Sequence, residues 1–118
     1  MSPAKRVCPV LHHAIELIGS RWTGAVIAVL IRDGARFAEL RAAIPEISDR
    51  MLADRLRALE AEGIVLRTVV PETPVRVEYA LTAKGRGLAR ALDAIGKWAH
   101  RWSDDGRKGT TATARASR

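Results

Sequence analysis

Cys8 is the only cysteine in this 118-residue chain, and its position favours a reactive thiol. Because Pro9 follows it and proline is preferred at the first position of a helix, the sequence predicts that Cys8 lies at a helix N-cap. A helix N-terminus with Lys5 and Arg6 close by favours the thiolate, which is the form that reacts with oxidants and electrophiles. One thiol per chain cannot form an internal disulfide, so a redox switch would need a second chain, a small thiol or an electrophile. The alternative interpretation is a small buried residue without chemistry.

The sequence gives little support for metal binding or catalysis by other residues. His12 and His13 are adjacent, so they cannot share the i, i+4 spacing of a helical metal pair, and we expect no metal and no cofactor. The chain has no Ser-His-Asp arrangement with a nucleophile elbow and no glycine-rich phosphate loop. We therefore do not expect an enzyme.

Arginines at helical spacing after Ser48 suggest a different chemistry, the recognition of DNA. The N-terminal residues of a recognition helix contact base edges, and arginine can bond guanine through two donors. The side chains predicted to face DNA are Ser48, Asp49, Arg50, Ala53, Asp54 and Arg57. Arg50 and Arg57 are the expected contacts to bases or adjacent phosphates. The two aspartates oppose phosphate binding, and many solvated helices carry a similar charged face.

A helix must hold these side chains in place. Ser48 is its predicted N-cap, and Gly63 is the expected C′ residue that ends it. Leu52, Leu56 and Leu59 fall on the opposite side, so the helix has one apolar and one charged face. Residues 38–44 form a shorter helix that the following proline stops. Residues 37–62 therefore predict a helix-turn-helix.

Two further helices precede this unit. The first begins after Cys8 and ends at Gly19, with apolar residues on one face. The second is expected over residues 21–31, with Ser20 as its cap and Trp22 as a core anchor. Phe37 is expected to pack beneath the helix-turn-helix.

Two β-branched segments follow it, residues 64–70 and 76–82. They flank a proline-rich loop and predict a two-stranded wing. Arg67 and Arg76 bracket the loop, where an arginine can lie over a phosphate strand or reach a minor groove. Arg76 is the preferred DNA contact because it lies nearer the tip.

The last predicted helix runs from residue 83 to about residue 102, with Thr82 as its cap. Its apolar stripe exceeds what one small domain needs, and so does the apolar face of the first helix, which suggests pairing with a second copy. The predicted dimer interface comprises Leu11, Ile15, Ile18, Leu92, Ile95, Trp98 and Trp102. We thus divide the chain into a basic arm (1–7), one domain (8–102) and a basic tail (103–118) that we expect to be disordered.

Composition limits the partners. The net charge of +7 favours nucleic acid or another anionic surface. The sequence has no apolar run of about eighteen residues and no signal peptide, so we expect a soluble, cytoplasmic protein without a membrane partner.

With these elements placed, the chain resembles the HxlR-type winged helix-turn-helix regulators of bacteria, which are related to MarR-like regulators. The matching segments are CPV (8–10), LIGSRWT (17–23), RFAEL (36–40), IS (47–48), RLRALE (55–60) and VEYALT (77–82). The resemblance implies a mainly α fold with a small β wing. The sequence departs from the family pattern at Gly24, where a larger apolar residue is common. The smaller glycine leaves room for a small pocket.

The resemblance further implies a homodimeric transcription factor that pairs through its first and last helices and binds a palindromic operator in double-stranded DNA. Cys8 matches the N-terminal cysteine that some members use to sense electrophiles or oxidants. The alternative hypothesis is a winged-helix module that dimerises or binds another protein without specific DNA binding. Asp49 and Asp54 are its main support.

Overall fold

The computed structural model describes the backbone of residues 6–110 and the side chains of residues 6–103. Most of the predicted basic arm and residues 111–118 of the predicted tail lie outside the described residues. Within the described part, no helix combines the length and the apolar character needed to cross a membrane.

Between residues 6 and 110, five helices and a small antiparallel sheet form a winged helix-turn-helix, as the sequence predicted. The elements are α1 (Pro9–Gly19), α2 (Thr23–Leu30), β1 (Ala35–Arg36), α3 (Phe37–Ala43), α4 (Asp49–Ala61), β2 (Val65–Val70), β3 (Arg76–Leu81) and α5 (Ala83–Thr110). The helix-turn-helix consists of α3 and α4, and β2 and β3 form the wing.

The core lies between α2, α3, α4 and the sheet. Its fully buried side chains include Val26, Ile27, Leu30, Leu40, Leu52, Leu56, Leu59 and Ile64. Phe37 and Trp22 are partly buried against this core, in agreement with their predicted packing. The apolar face of α4 is therefore covered within one chain.

The sheet has one strand more than the sequence predicted. β1 pairs antiparallel with β3, with Ala35 opposite Tyr79, so the strand order is β1-β3-β2. β2 pairs with β3 along its whole length, from Val65 opposite Leu81 to Val70 opposite Arg76. A strand of two residues has too few positions to show an alternating pattern, which explains why β1 was missed.

The predicted cap of α2 is wrong. The Ser20 hydroxyl donates a hydrogen bond back to the Glu16 carbonyl oxygen at 3.1 Å, so it closes α1 instead of capping α2. α2 begins two residues later than expected, after Trp22, whose φ of 75° lies in the left-handed region. Partial burial of the indole against the core accompanies this unfavourable backbone conformation.

The last helix is longer than predicted. α5 continues to Thr110, whereas the sequence predicted an end near Trp102 and disorder from residue 103. Apolar periodicity marks only the part of a helix that packs, and no proline interrupts residues 103–110. The helix therefore extends beyond its predicted end near Trp102, and the disorder expected of the tail stays a prediction.

The end of α4 and the start of α5 contact each other closely. Gly63 has a φ of 77° and ends the turn after α4, as predicted. Thr82 caps α5 by accepting from the Gly85 amide at 3.0 Å and also donates to the Gly63 carbonyl oxygen. A Cβ atom at Gly85 would lie 2.3 Å from the Ile64 carbonyl oxygen, so only glycine allows this approach.

Candidate DNA-binding surface and thiol region

Helix α4 projects the predicted DNA-facing residues to one side. Ser48 is its N-cap, and the Ser48 hydroxyl accepts a hydrogen bond from the Met51 amide at 3.0 Å, as predicted. We call the predicted set of Ser48, Asp49, Arg50, Ala53, Asp54 and Arg57 the charged face of α4. All of its members are exposed except Ala53, which is half-buried. Because Leu52, Leu56 and Leu59 are buried on the other side, the orientation of this face is fixed by the core.

Both aspartates of the charged face contact arginines. Asp49 accepts a hydrogen bond from Nε of Arg41, and Asp54 accepts one from Nη2 of Arg57. Arg50 is exposed and has no carboxylate partner in the described part of the chain. The aspartates therefore repel phosphate less than their formal charges suggest, and Arg50 is the arginine of this face available to a new partner.

Arg41 contributes to the charge of this face by pairing with Asp49, and the sequence did not indicate this role. It lies on α3, one helix before the charged face, and its side chain crosses the turn to reach Asp49. A basic residue in the last turn of a helix is a common feature that the helix dipole explains. The ion pair itself depends on the angle between α3 and α4, and sequence spacing does not supply that angle.

The two wing arginines differ in their surroundings. Arg76 donates from Nη1 to Glu72 at 3.0 Å, and its Nε lies 2.9 Å from Oε2 of Glu78. Arg67 is exposed on β2 and has no carboxylate partner among the described residues. Arg67 also lines a cleft of about 420 Å³ between α4 and the wing, together with Arg57 and Tyr79. The preferred wing residue, Arg76, is thus held by two carboxylates, while Arg67 is available.

Cys8 occupies the predicted N-cap of α1. Its carbonyl oxygen accepts a hydrogen bond from the His12 amide at 2.9 Å, and its side chain makes no capping bond. The residue is exposed, which contradicts the alternative of a small buried residue. The Cys8 thiol is therefore accessible to reagents in solution and to another chain.

The two histidines lie on different sides of α1. Nε2 of His12 lies 3.4 Å from the Glu16 carboxylate, and Nε2 of His13 lies 3.2 Å from the Glu62 carboxylate near the end of α4. The described residues contain no group of three metal-binding side chains. His13 therefore connects α1 to the end of α4.

Apolar side chains remain uncovered on α1 and α5. α1 has no buried residue at all. We call this region the apolar α1/α5 surface, and its exposed members are Leu11, Ile15, Ile95, Trp98 and Trp102. Trp98 and Trp102 are 64% and 60% exposed. Of the other predicted interface residues, Ile18 and Leu92 are half-buried, and Leu92 packs against the core of its own chain.

Comparison with known proteins identifies the family of this chain. A family model described as HxlR-like helix-turn-helix matches residues 17–107. The chain is 46% identical over 98 residues to the HTH-type transcriptional regulator YvaP of Bacillus subtilis, across 83% of this chain and 91% of YvaP. It is 44% identical over 100 residues to the HTH-type transcriptional regulator YodB of the same organism, across 85% of this chain and 89% of YodB.

Solved structures are similar as well. The reduced form of YodB matches with a TM-score of 0.76 and 45% identity, covering 81% of this chain and 94% of YodB. The quinone-bound form of YodB matches with a TM-score of 0.71 and 40% identity, covering 80% and 99% of the two chains. The redox regulator HypR in its oxidised form matches with a TM-score of 0.73 and 39% identity, covering 80% and 96%.

These relatives are named as HTH-type transcriptional regulators. The family model spans the helix-turn-helix, the wing and most of α5. The chain is a transcriptional regulator and belongs to the HxlR-like helix-turn-helix family.

Proposed function

We propose that this regulator binds a specific sequence in double-stranded DNA through the charged face of α4. The proposal depends on Arg50, which lies exposed in the first turn of α4 and has no carboxylate partner among the residues whose side chains are described, while the opposite face of this helix is buried. The N-terminal residues of a recognition helix are the ones that contact base edges in the major groove. Ser48, Ala53 and Arg57 complete the contact surface.

Neutralisation of the two aspartates supports the proposal. The alternative, a protein-interaction module without specific DNA binding, depended mainly on Asp49 and Asp54. Because Arg41 and Arg57 contact these carboxylates, the alternative loses most of its support. The net charge of +7 adds a general attraction to phosphate.

Selection of bound sequences from a random DNA pool tests this function. Reduced full-length protein should enrich one palindromic sequence, and binding to it should weaken steeply as salt rises, because phosphate contacts release counterions. A shuffled duplex of the same composition is the control. If the selected and shuffled duplexes bind equally at every salt concentration, the proposal of specific recognition is wrong.

The proposed DNA-binding species is a homodimer paired through the apolar α1/α5 surface. Two exposed tryptophans and the uncovered α1 are difficult to explain in a monomer, because such contiguous apolar patches normally mark an interface. A two-fold axis would place two α4 helices on half-sites about 10 bp apart or a multiple of that spacing. Sedimentation velocity of the reduced protein, with and without operator, should report a dimer in both cases.

We also propose that a thiol-reactive signal acts at Cys8. The thiol is exposed at the start of α1, next to the apolar α1/α5 surface, so a modification there would alter how two chains pair. YodB has been solved in reduced and quinone-bound forms, and HypR has been solved oxidised. A small electrophile or an oxidant is therefore the proposed signal.

Diamide treatment tests the thiol proposal. Two Cys8 thiols from two chains would give up two electrons and two protons to diamide and form one intermolecular disulfide. A non-reducing gel should show a covalent dimer, and operator affinity should change. Cys8→Ser should abolish both effects. If diamide leaves both the gel mobility and the DNA affinity of the wild-type chain unchanged, Cys8 has no redox role.

A further inference from the structure

A groove runs between α2 and α5, away from the side chains assigned to DNA. Two adjoining hollows of about 480 and 360 Å³ form it. Ile31, Ala89 and Asp93 line both hollows, so the groove is continuous. Hollows of this size fall within the range of small-molecule sites.

The groove exists because small residues line it. Gly24 and Ala28 lie four residues apart on α2 and so share one face, and Gly96 lies opposite them on α5. A Cβ atom added at Gly24 or at Gly96 would meet no atom within 4 Å. The floor is apolar, with Ile27, Ile31 and Leu92 among its lining residues. The groove therefore has both the space and the surface to hold an apolar ring or short chain.

One end of the groove carries positive charge. Arg86 donates from Nη1 to the Ile31 carbonyl oxygen at 3.3 Å, which holds its guanidinium at the groove. Arg90 lines the same end, is exposed, and has no carboxylate partner in the described residues. The one acidic residue of the lining, Asp93, lies 3.1 Å from Nζ of Lys97. The local charge thus favours an anion.

We propose that this groove binds a small amphiphilic monoanion, with an apolar ring or chain in the hollow beside Gly24 and a carboxylate at Arg86 and Arg90. Guanidinium groups bind carboxylates through charge-assisted and often paired hydrogen bonds. The proposal does not depend on DNA binding, and ligand binding can be measured without an operator.

A second copy of this chain is the competing occupant, because Ile95 belongs both to the groove and to the apolar α1/α5 surface. The carboxylates of α1 and α5 argue against a second copy in the groove. Glu16, the acidic residue of α1, contacts His12, and Asp93 of α5 contacts Lys97. Neither helix therefore offers an unpaired carboxylate from its described residues to Arg86 and Arg90.

Isothermal titration calorimetry with the reduced full-length protein tests the proposal, with 2-naphthoate as the probe and neutral 2-naphthamide as its matched control. We expect saturable binding of one naphthoate per chain, with the amide at least about tenfold weaker because it lacks the charge. Arg90→Gln should weaken naphthoate binding by a similar factor. Arg101→Gln removes an equal charge from the same helix outside the groove and should change nothing.

Gly24→Leu should abolish naphthoate binding by filling the hollow. The added side chain points into open space and leucine is the better helix former, so the fold should survive. Ala28→Leu, one turn further along, provides a second filling variant, and circular dichroism checks both. Wild-type binding by these variants would overturn the proposal, and so would equal affinity for the acid and the amide. A wild-type chain that binds no naphthoate, while Gly24→Leu dissociates the dimer in sedimentation velocity, would assign the groove to the second copy instead.

Discussion

Helices α1 and α4 are both amphipathic and similar in length, but only α4 has its apolar face covered by its own chain. Leu52, Leu56 and Leu59 of α4 are buried in the core, whereas α1 has no buried residue. An amphipathic face that stays uncovered needs another surface to pack against. The contrast distinguishes the proposed recognition helix, α4, from the proposed dimerisation helix, α1, and the following predictions test that distinction.

The largest effect is expected in the core beneath α4. Leu56→Ala should lower the free energy of unfolding by about 2–5 kcal/mol, because it leaves a cavity among buried side chains. Urea denaturation at several protein concentrations measures this loss. The matched change on α1, Leu11→Ala, should have a small effect at low protein concentration and a larger one at concentrations where dimers form. Equal, concentration-independent losses for the two variants would mean that α1 does not pair with another chain.

Trp98→Ala should weaken the dimer by about 2 kcal/mol or more, because buried aromatic residues dominate such interfaces. The dimer dissociation constant from sedimentation equilibrium measures the effect, which corresponds to about a thirtyfold increase. Met51→Ala, on α4, is the control and should leave dimerisation unchanged. A Trp98→Ala protein that dimerises like the wild type would remove Trp98 from the interface.

On the charged face of α4, Arg50→Ala should cost about 1–3 kcal/mol in operator affinity and reduce the preference over shuffled DNA. Arg76→Ala should have a smaller effect, since Glu72 and Glu78 already engage that guanidinium. Fluorescence anisotropy with the operator and with the shuffled duplex distinguishes a contact to a base from a contact to phosphate. If Arg50→Ala weakens all sequences alike, Arg50 contacts phosphate and not a base.

The smallest predicted effects concern the two helix caps. Ser48→Ala should destabilise the fold by about 1 kcal/mol, because the Met51 amide loses its acceptor. Cys8→Ala should have almost no effect on thermal unfolding, since the Cys8 side chain makes no capping bond. A marked loss of stability in Cys8→Ala would indicate a structural role for this residue after all.

Local signals in the sequence were sufficient for much of the fold. Pro9, Ser48, Gly63 and Thr82 each mark a helix boundary through a backbone constraint or a capping bond, and the structure confirms all four. The two local errors have different causes. Ser20 is a good capping residue by type, but its hydroxyl bonds backwards to Glu16, and β1 is too short to show a pattern.

The candidate site was less predictable than the fold. Helical spacing alone placed Arg50 and Arg57 on one exposed face, because that face depends only on the geometry of a single helix. The contacts that change the charge of this face join different elements, as Arg41 and Asp49 do across α3 and α4. The two contacts of Arg76 are local in sequence, to Glu72 in the wing loop and to Glu78 two residues along β3, but they depend on the path of the loop and on side-chain conformation.

The close approach at Gly85 has a mechanical consequence. Thr82 and Lys84 bond to the carbonyl oxygens of Gly63 and Glu62, directly after α4, and Gly85 lies against the backbone of Ile64, so we expect α4 and α5 to move together as a lever. The long arm of this lever is α5, which spans about 42 Å at 1.5 Å per residue. In the proposed homodimer, a small swing where the two α5 helices meet would therefore produce a larger change in the separation of the two α4 helices.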